Sequence, residues 1–111
     1  MPAATLLEYH VLLALAEGPL HGYGLAEKVA TESLGGLTPR AGSLYRVIAR
    51  LISSGLVEES DGGGEVLHPG LARRYYGLTA PGRKALGEET RRLKQALAVA
   101  EERLGLARSR S

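Results

Sequence analysis

The order of hydrophobic and polar residues along the chain predicts four helices, with one β-hairpin between the third and the fourth. The first helix is apolar on nearly every face from Val11 to Ala16, which requires burial on most sides. Thr38 and Thr79 are suited to cap the third and fourth helices, and His21 to cap the second. The predicted helices run from Leu6 to Glu17, from His21 to just before Gly35, from Thr38 or Gly42 to Ser54 and from Ala80 to about Leu104, with strands from Glu58 to Ser60 and from Arg74 to Leu78.

The third helix separates its side chains into two faces. At about 100° per residue, the apolar face that packs on the first two helices consists of Leu44, Val47, Ile48 and Leu51. The opposite face carries Ser43, Arg46 and Arg50, with Arg40 just upstream. Two arginines one turn apart can reach base edges or phosphates in a major groove, and a solvated surface is the alternative. Tyr45, on the shoulder of the helix, either donates to a phosphate or packs against the hairpin.

The hairpin carries a second basic cluster. Strand alternation places Arg74 and Tyr76 on one face, with Arg73 and Tyr75 on the other. One face must pack on the helices, so one tyrosine is expected in the core. The arginines are suited to contact the sugar-phosphate backbone or the minor groove. A helix with a basic free face, followed by a basic ribbon, is typical of a winged helix-turn-helix.

Composition and charge limit what this domain can be. A chain of 111 residues supports a single compact domain. The net charge is only +2, so nucleic-acid binding requires positive charge concentrated on one face. There is no apolar run of about twenty residues and no basic region before Leu6, so neither a membrane span nor a secretory leader is expected. The absence of cysteine suits a cytoplasmic protein.

The sequence offers little for catalysis. His10, His21 and His68 have no metal-ligand spacing, and the Gly62-Gly63-Gly64 run is not followed by the helix and Lys-Ser/Thr of a phosphate loop. We therefore expect no enzyme activity, no metal and no cofactor. Two functions stay open at this point: double-stranded DNA binding, and a winged-helix protein-interaction module or assembly subunit that does not bind DNA.

The last helix predicts a homodimer. Its apolar stripe repeats at seven-residue spacing and is longer than one small domain can cover. An ordinary amphipathic helix folded back on its own domain is the alternative. The stripe consists of Leu86, Leu93, Leu97, Ala100 and Leu104. A small-molecule effector site at the dimer centre would be lined by Tyr9, His10, Leu13, Leu93 and Ala96, and a filled interface core is the other interpretation of these residues.

Several segments, in order, resemble the PadR-like transcriptional regulators, in particular their short subfamily with a winged helix and one C-terminal helix. The landmarks are Gly18-Pro19-Leu20-His21-Gly22-Tyr23-Gly24, Gly42-Ser43-Leu44-Tyr45, Arg50-Leu51 with Gly55-Leu56-Val57, and Arg74-Tyr75-Tyr76-Gly77-Leu78-Thr79 with Gly82-Arg83. The resemblance implies a homodimeric repressor released by a small effector or a stress signal. It also implies that the third helix enters the major groove, so that Ser43, Tyr45, Arg46 and the hairpin arginines inherit the contact roles.

The expected fold is thus mainly α with a small antiparallel β-hairpin. Residues 1–79 form the winged helix-turn-helix, residues 80–105 the C-terminal dimerisation helix, and residues 106–111 a disordered tail.

Overall fold

A computed structural model of the chain describes residues 4–60 and 74–106. Four α-helices surround a small antiparallel sheet, and a single 3₁₀ turn at Leu15–Glu17 extends the first helix. The helices are α1 (Leu6–Ala14), α2 (Gly22–Glu32), α3 (Ala41–Ser53) and α4 (Ala80–Leu104), and the strands are β1 (Leu20–His21), β2 (Val57–Ser60) and β3 (Tyr75–Leu78). This is the mainly helical fold with a long last helix that the sequence predicts.

The sheet has three strands rather than the two that the sequence predicts. Its order is β1-β3-β2, and Leu20 and His21 pair with Tyr76 and Tyr75 of the central strand. Two residues are too short a run to show the alternation that marks a strand. The extra strand pairs the α1–α2 connection with β3, so β3 is hydrogen-bonded on both of its edges.

Two of the three side-chain caps that the sequence predicts are present. His21 Nδ1 accepts the Gly24 N–H at 3.1 Å, and Thr79 Oγ1 accepts the Gly82 N–H at 3.0 Å. The prediction that Thr38 caps the third helix is wrong. Arg40 is the N-cap, with extended backbone and no side-chain cap bond, because α3 begins only at Ala41, one residue before the alternative predicted start at Gly42.

The core lies between the first three helices and the sheet. Leu12, Leu15, Leu25 and Ile48 are among its largest fully buried side chains. The whole apolar face predicted for α3 is buried. Burial of each of these large apolar side chains stabilises the folded state by about 1.5–3 kcal/mol. Most of the apolar surface of α1 is therefore covered within this chain.

The helix α4 begins at a tight contact with the end of α3. Thr79 Oγ1 donates to the Gly55 carbonyl at 2.6 Å, and the Thr79 N–H donates to the Leu56 carbonyl at 3.1 Å. A Cβ on Gly82 would collide with the same Leu56 carbonyl group. Only a glycine lets α4 approach this closely.

Beyond its first ten residues, α4 leaves the body of the domain. Its buried residues are Gly82, Leu86 and Glu89, and the molecule extends over 56 × 27 × 24 Å. Gly105, at φ 74°, ends the helix, and the Leu106 N–H closes it by donating to the Glu101 carbonyl at 2.8 Å. Leu106 thus belongs to the helix end, and the rest of the predicted tail lies outside the described residues. Within residues 4–60 and 74–106, no helix is long and apolar enough to cross a membrane.

Candidate nucleic-acid interface

The free face of α3 presents Arg46 to solvent, with no acidic partner in the part of the chain that the structure describes. Arg40, Arg46 and Arg50 are exposed and Ser43 is half-buried. The Arg46 Nη2 lies 3.5 Å from Ser43 Oγ, and no described carboxylate pairs with it. Its guanidinium keeps most of its five donors for a ligand. This is the arrangement that base or phosphate recognition requires.

Arg50, one turn later on the same face, has an acidic partner. Its Nε lies 3.4 Å from Glu8 Oε2 on α1, and its side chain is 60% exposed. The other Glu8 oxygen accepts the Thr5 N–H at 2.8 Å and so completes the capping box of α1. Sequence reasoning missed Glu8, although the spacing Thr5-Leu6-Leu7-Glu8 carries the capping-box signal.

Tyr45 packs on the start of α2. Its hydroxyl and ring lie over Gly22, where an added Cβ would approach the ring at 3.0 Å from Cζ and 3.2 Å from Cε1. The ring thus contacts α2, a partner that the sequence does not predict for Tyr45. The residue nevertheless stays exposed beside Arg46.

The hairpin pairs its described arginine with an acidic neighbour. Arg74 Nη1 lies 2.6 Å from Glu59 Oε2 on the adjacent strand. Tyr76 is buried, which confirms that one tyrosine is in the core, and burial together with the Glu59 charge raises the pKa of its hydroxyl. Tyr75 is half-buried and meets His21 edge-on at 5.6 Å. Arg73 lies outside the described residues.

Of the residues predicted to line an effector site, Tyr9 contacts both His10 and Thr90 of α4. Thr90 Oγ1 donates to the Leu86 carbonyl at 2.7 Å, so the Tyr9 hydroxyl, 2.8 Å away, donates to Thr90. The His10 ring meets Tyr9 edge-on at 5.9 Å, and its buried Nδ1 has no hydrogen-bond partner among the described residues. Leu13 is half-buried, whereas Leu93 and Ala96 are exposed.

A groove of about 560 Å³ lies between the start of α1 and α4, and none of the predicted effector-site residues lines it. Arg92, which lines this groove, donates from Nε and Nη2 to Oε1 of Glu89 on the same helix at 3.0 and 2.7 Å. The lining residues are Ala4, Leu12, Ala85, Glu88, Glu89, Arg91, Arg92 and Gln95.

The apolar stripe of α4 is covered at one end and open at the other. Leu86 is only 8% exposed and belongs to the core of its own chain, because it lies where α4 still packs on α1. Leu93, Leu97 and Leu104 are 41%, 58% and 70% exposed, and Ala100 is exposed as well. An interface formed by this stripe therefore begins after Leu86.

A protein-family model and a curated protein are each similar to most of this chain. The model of the "Transcriptional regulator PadR-like family" matches residues 11–88, more than half of the chain. A 37.1 kDa transposon protein of Streptomyces fradiae is 39% identical over 79 residues, which is 71% of this chain and 20% of that protein. The chain thus spans a fifth of that relative.

Solved structures share the fold over most of the chain. A PadR family regulator of Clostridium difficile is 19% identical, with a TM-score of 0.75 over 90% of this chain and 99% of the other. Bacillus subtilis PadR in complex with operator DNA is 24% identical, with a TM-score of 0.65 over 76% of this chain and 47% of the other. At these identities the likeness concerns the fold alone.

Proposed function

Because the chain belongs to the PadR-like family of transcriptional regulators, we propose that it binds operator DNA with α3 in the major groove. The observation that carries this proposal is the exposed Arg46 guanidinium, which no described carboxylate neutralises. The Bacillus subtilis relative was solved with operator DNA, which supports the same use of the fold. A protein-interaction module would expose apolar side chains on this face. The face of α3 instead exposes arginines, beside a half-buried serine.

The proposed contacts fall into two classes. Arg40, Ser43 and Arg46 lie at the start and centre of the free face, where side chains reach base edges and adjacent phosphates. Tyr45 is suited to donate to a phosphate from the side of the helix. The hairpin arginines Arg73 and Arg74 would contact the sugar-phosphate backbone, Arg74 after leaving its carboxylate partner. Arg50 could reach the backbone only by leaving Glu8.

The regulator is proposed to act as a homodimer through the open half of α4. Leu93, Leu97, Ala100 and Leu104 would pack against the same residues of a second copy, which removes their exposed apolar surface from water. Two α3 helices held about 34–36 Å apart can read successive major-groove faces of a palindrome. The operator is therefore expected to have twofold symmetry.

We further propose that the dimer represses transcription until a signal releases it from DNA. A dimer on an operator blocks transcription, and a small molecule or stress signal that alters the dimer releases it. Tyr9, His10, Leu13, Leu93 and Ala96 are the proposed lining of an effector site at the dimer centre. The His10 Nδ1, which hydrogen-bonds to none of the described residues, would give such a ligand a polar partner.

The experiment that tests DNA binding is selection of genomic fragments by the purified chain. We expect the bound fragments to share a palindrome, and affinity for it to fall steeply between about 50 and 200 mM salt. A protein-interaction module would enrich no common sequence. Fragments without a shared motif, bound no better than random DNA, would contradict the proposal.

A further inference from the structure

Glu8 is fixed in place on α1 and holds the guanidinium of Arg50. Its Oε1 accepts the Thr5 N–H at 2.8 Å, while its Oε2 lies 3.4 Å from Arg50 Nε. The Glu8 side chain is only 14% exposed. The carboxylate is therefore anchored by backbone, and Arg50 is the partner with freedom to move.

Arg46 and Arg50 share one face of α3 but differ in their surroundings. Arg46 has Ser43 Oγ at 3.5 Å, whereas Arg50 has a carboxylate that it must give up in order to bind a phosphate. Because the Arg50 side chain is 60% exposed, this ion pair is weak, so it competes with a DNA phosphate for Arg50. The Glu8 charge also repels phosphates that approach this end of α3.

We propose that Glu8 is a positioning residue that withholds Arg50 from the DNA backbone and thereby leaves recognition to the first half of α3. The inference rests on the proposed DNA-binding function. Phosphate contacts strengthen binding to every sequence, while base contacts distinguish one sequence from another. Restraining Arg50 therefore lowers the affinity for all sequences by the same factor, and Glu8 weakens binding without changing the ratio between operator and random DNA.

The test compares the full chain with its Glu8→Gln, Arg50→Ala and double variants on operator and random DNA. Glutamine keeps an oxygen for the Thr5 N–H, so the capping box persists while the ion pair is lost. We expect Glu8→Gln to bind both DNAs about 3–10-fold more tightly and to steepen the logarithmic salt slope by about 0.9, as one added phosphate contact requires. Arg50→Ala should abolish this gain.

Glu27→Gln is the matched control, because Glu27 is exposed on α2 and also loses one negative charge. Melting curves of all variants establish that they are folded. The proposal is overturned if Glu8→Gln binds like the wild type, if Glu27→Gln gives the same gain, or if the gain survives in the Arg50→Ala background. Each of these results leaves wild-type DNA binding intact, whereas a wild type that binds no DNA would overturn the proposed function as well.

Discussion

At the scale of single residues, the cations on the proposed DNA face differ in how far they are already neutralised. Arg50 and Arg74 each face a glutamate on a neighbouring element, and Arg46 faces a hydroxyl. A guanidinium without a carboxylate partner gives up no ion pair when it meets a phosphate or a guanine. Arg46 is therefore expected to contribute more to operator binding than Arg50 or Arg74.

Replacing Arg46 with alanine should weaken operator binding by about 1–3 kcal/mol, since a base or phosphate contact is lost. Lys84→Ala is the control, because Lys84 is exposed on α4 and its loss changes the net charge equally. Titration of operator DNA at one salt concentration measures both. Equal affinity of the two variants would remove Arg46 from the interface.

Residue patterns on a single helix could be interpreted from the sequence, and contacts between distant segments could not. The buried face of α3 follows from periodicity because helical geometry is local. The Glu8–Arg50 pair joins α1 to α3, and β1 depends on pairing with β3, so neither has a local pattern. The stripe of α4 likewise does not reveal that Leu86 is covered by its own chain.

At the scale of elements, the position of α4 depends on one close backbone contact. A Cβ on Gly82 would overlap the Leu56 carbonyl oxygen and lie 2.9 Å from the carbonyl carbon. Backbone atoms in a packed core cannot move aside as a flexible side chain can. The start of α4 must therefore shift if any side chain is added at this position.

Gly82→Ala should destabilise the protein by about 1–3 kcal/mol through this overlap. Gly87→Ala, in the same helix, provides the comparison, since its Cβ would meet only Arg91 Nη1 at 3.9 Å. Alanine is favoured over glycine inside a helix by about 1 kcal/mol, so this variant should be slightly stabilised. Urea unfolding at one protein concentration measures both, and equal midpoints would show that the contact does not constrain α4.

At the scale of the whole molecule, a compact winged helix continues into a helix with an open apolar side. The long dimension of 56 Å, against 27 and 24 Å for the others, reflects this projection. Leu93 and Leu97 contribute little to the core of their own chain. The stripe can therefore be altered without unfolding the domain.

Changing both Leu93 and Leu97 to glutamate should leave a folded monomer that has lost specific DNA binding. Four carboxylates would otherwise be buried in the proposed dimer interface, at a high cost in desolvation. Gln95→Glu with Ala98→Glu adds the same charge at other exposed positions of the helix and should remain dimeric. Light scattering gives the mass of each variant, and a double leucine variant with the mass of a dimer would place the interface elsewhere.

The contact between Thr79, Gly82 and the Gly55-Leu56 segment also decides how the molecule can move. It connects the start of α4 to the end of α3. We therefore expect the two helices to rotate together as one rigid unit. With 25 residues, α4 is about 37 Å long, and a tilt of about 10° displaces its far end by about 6 Å. That shift approaches two base-pair steps. A ligand that changed the angle between the two α4 helices of a dimer by this amount would change the spacing between the two α3 helices. The α3 helices would then no longer match successive major grooves, although each domain would stay folded.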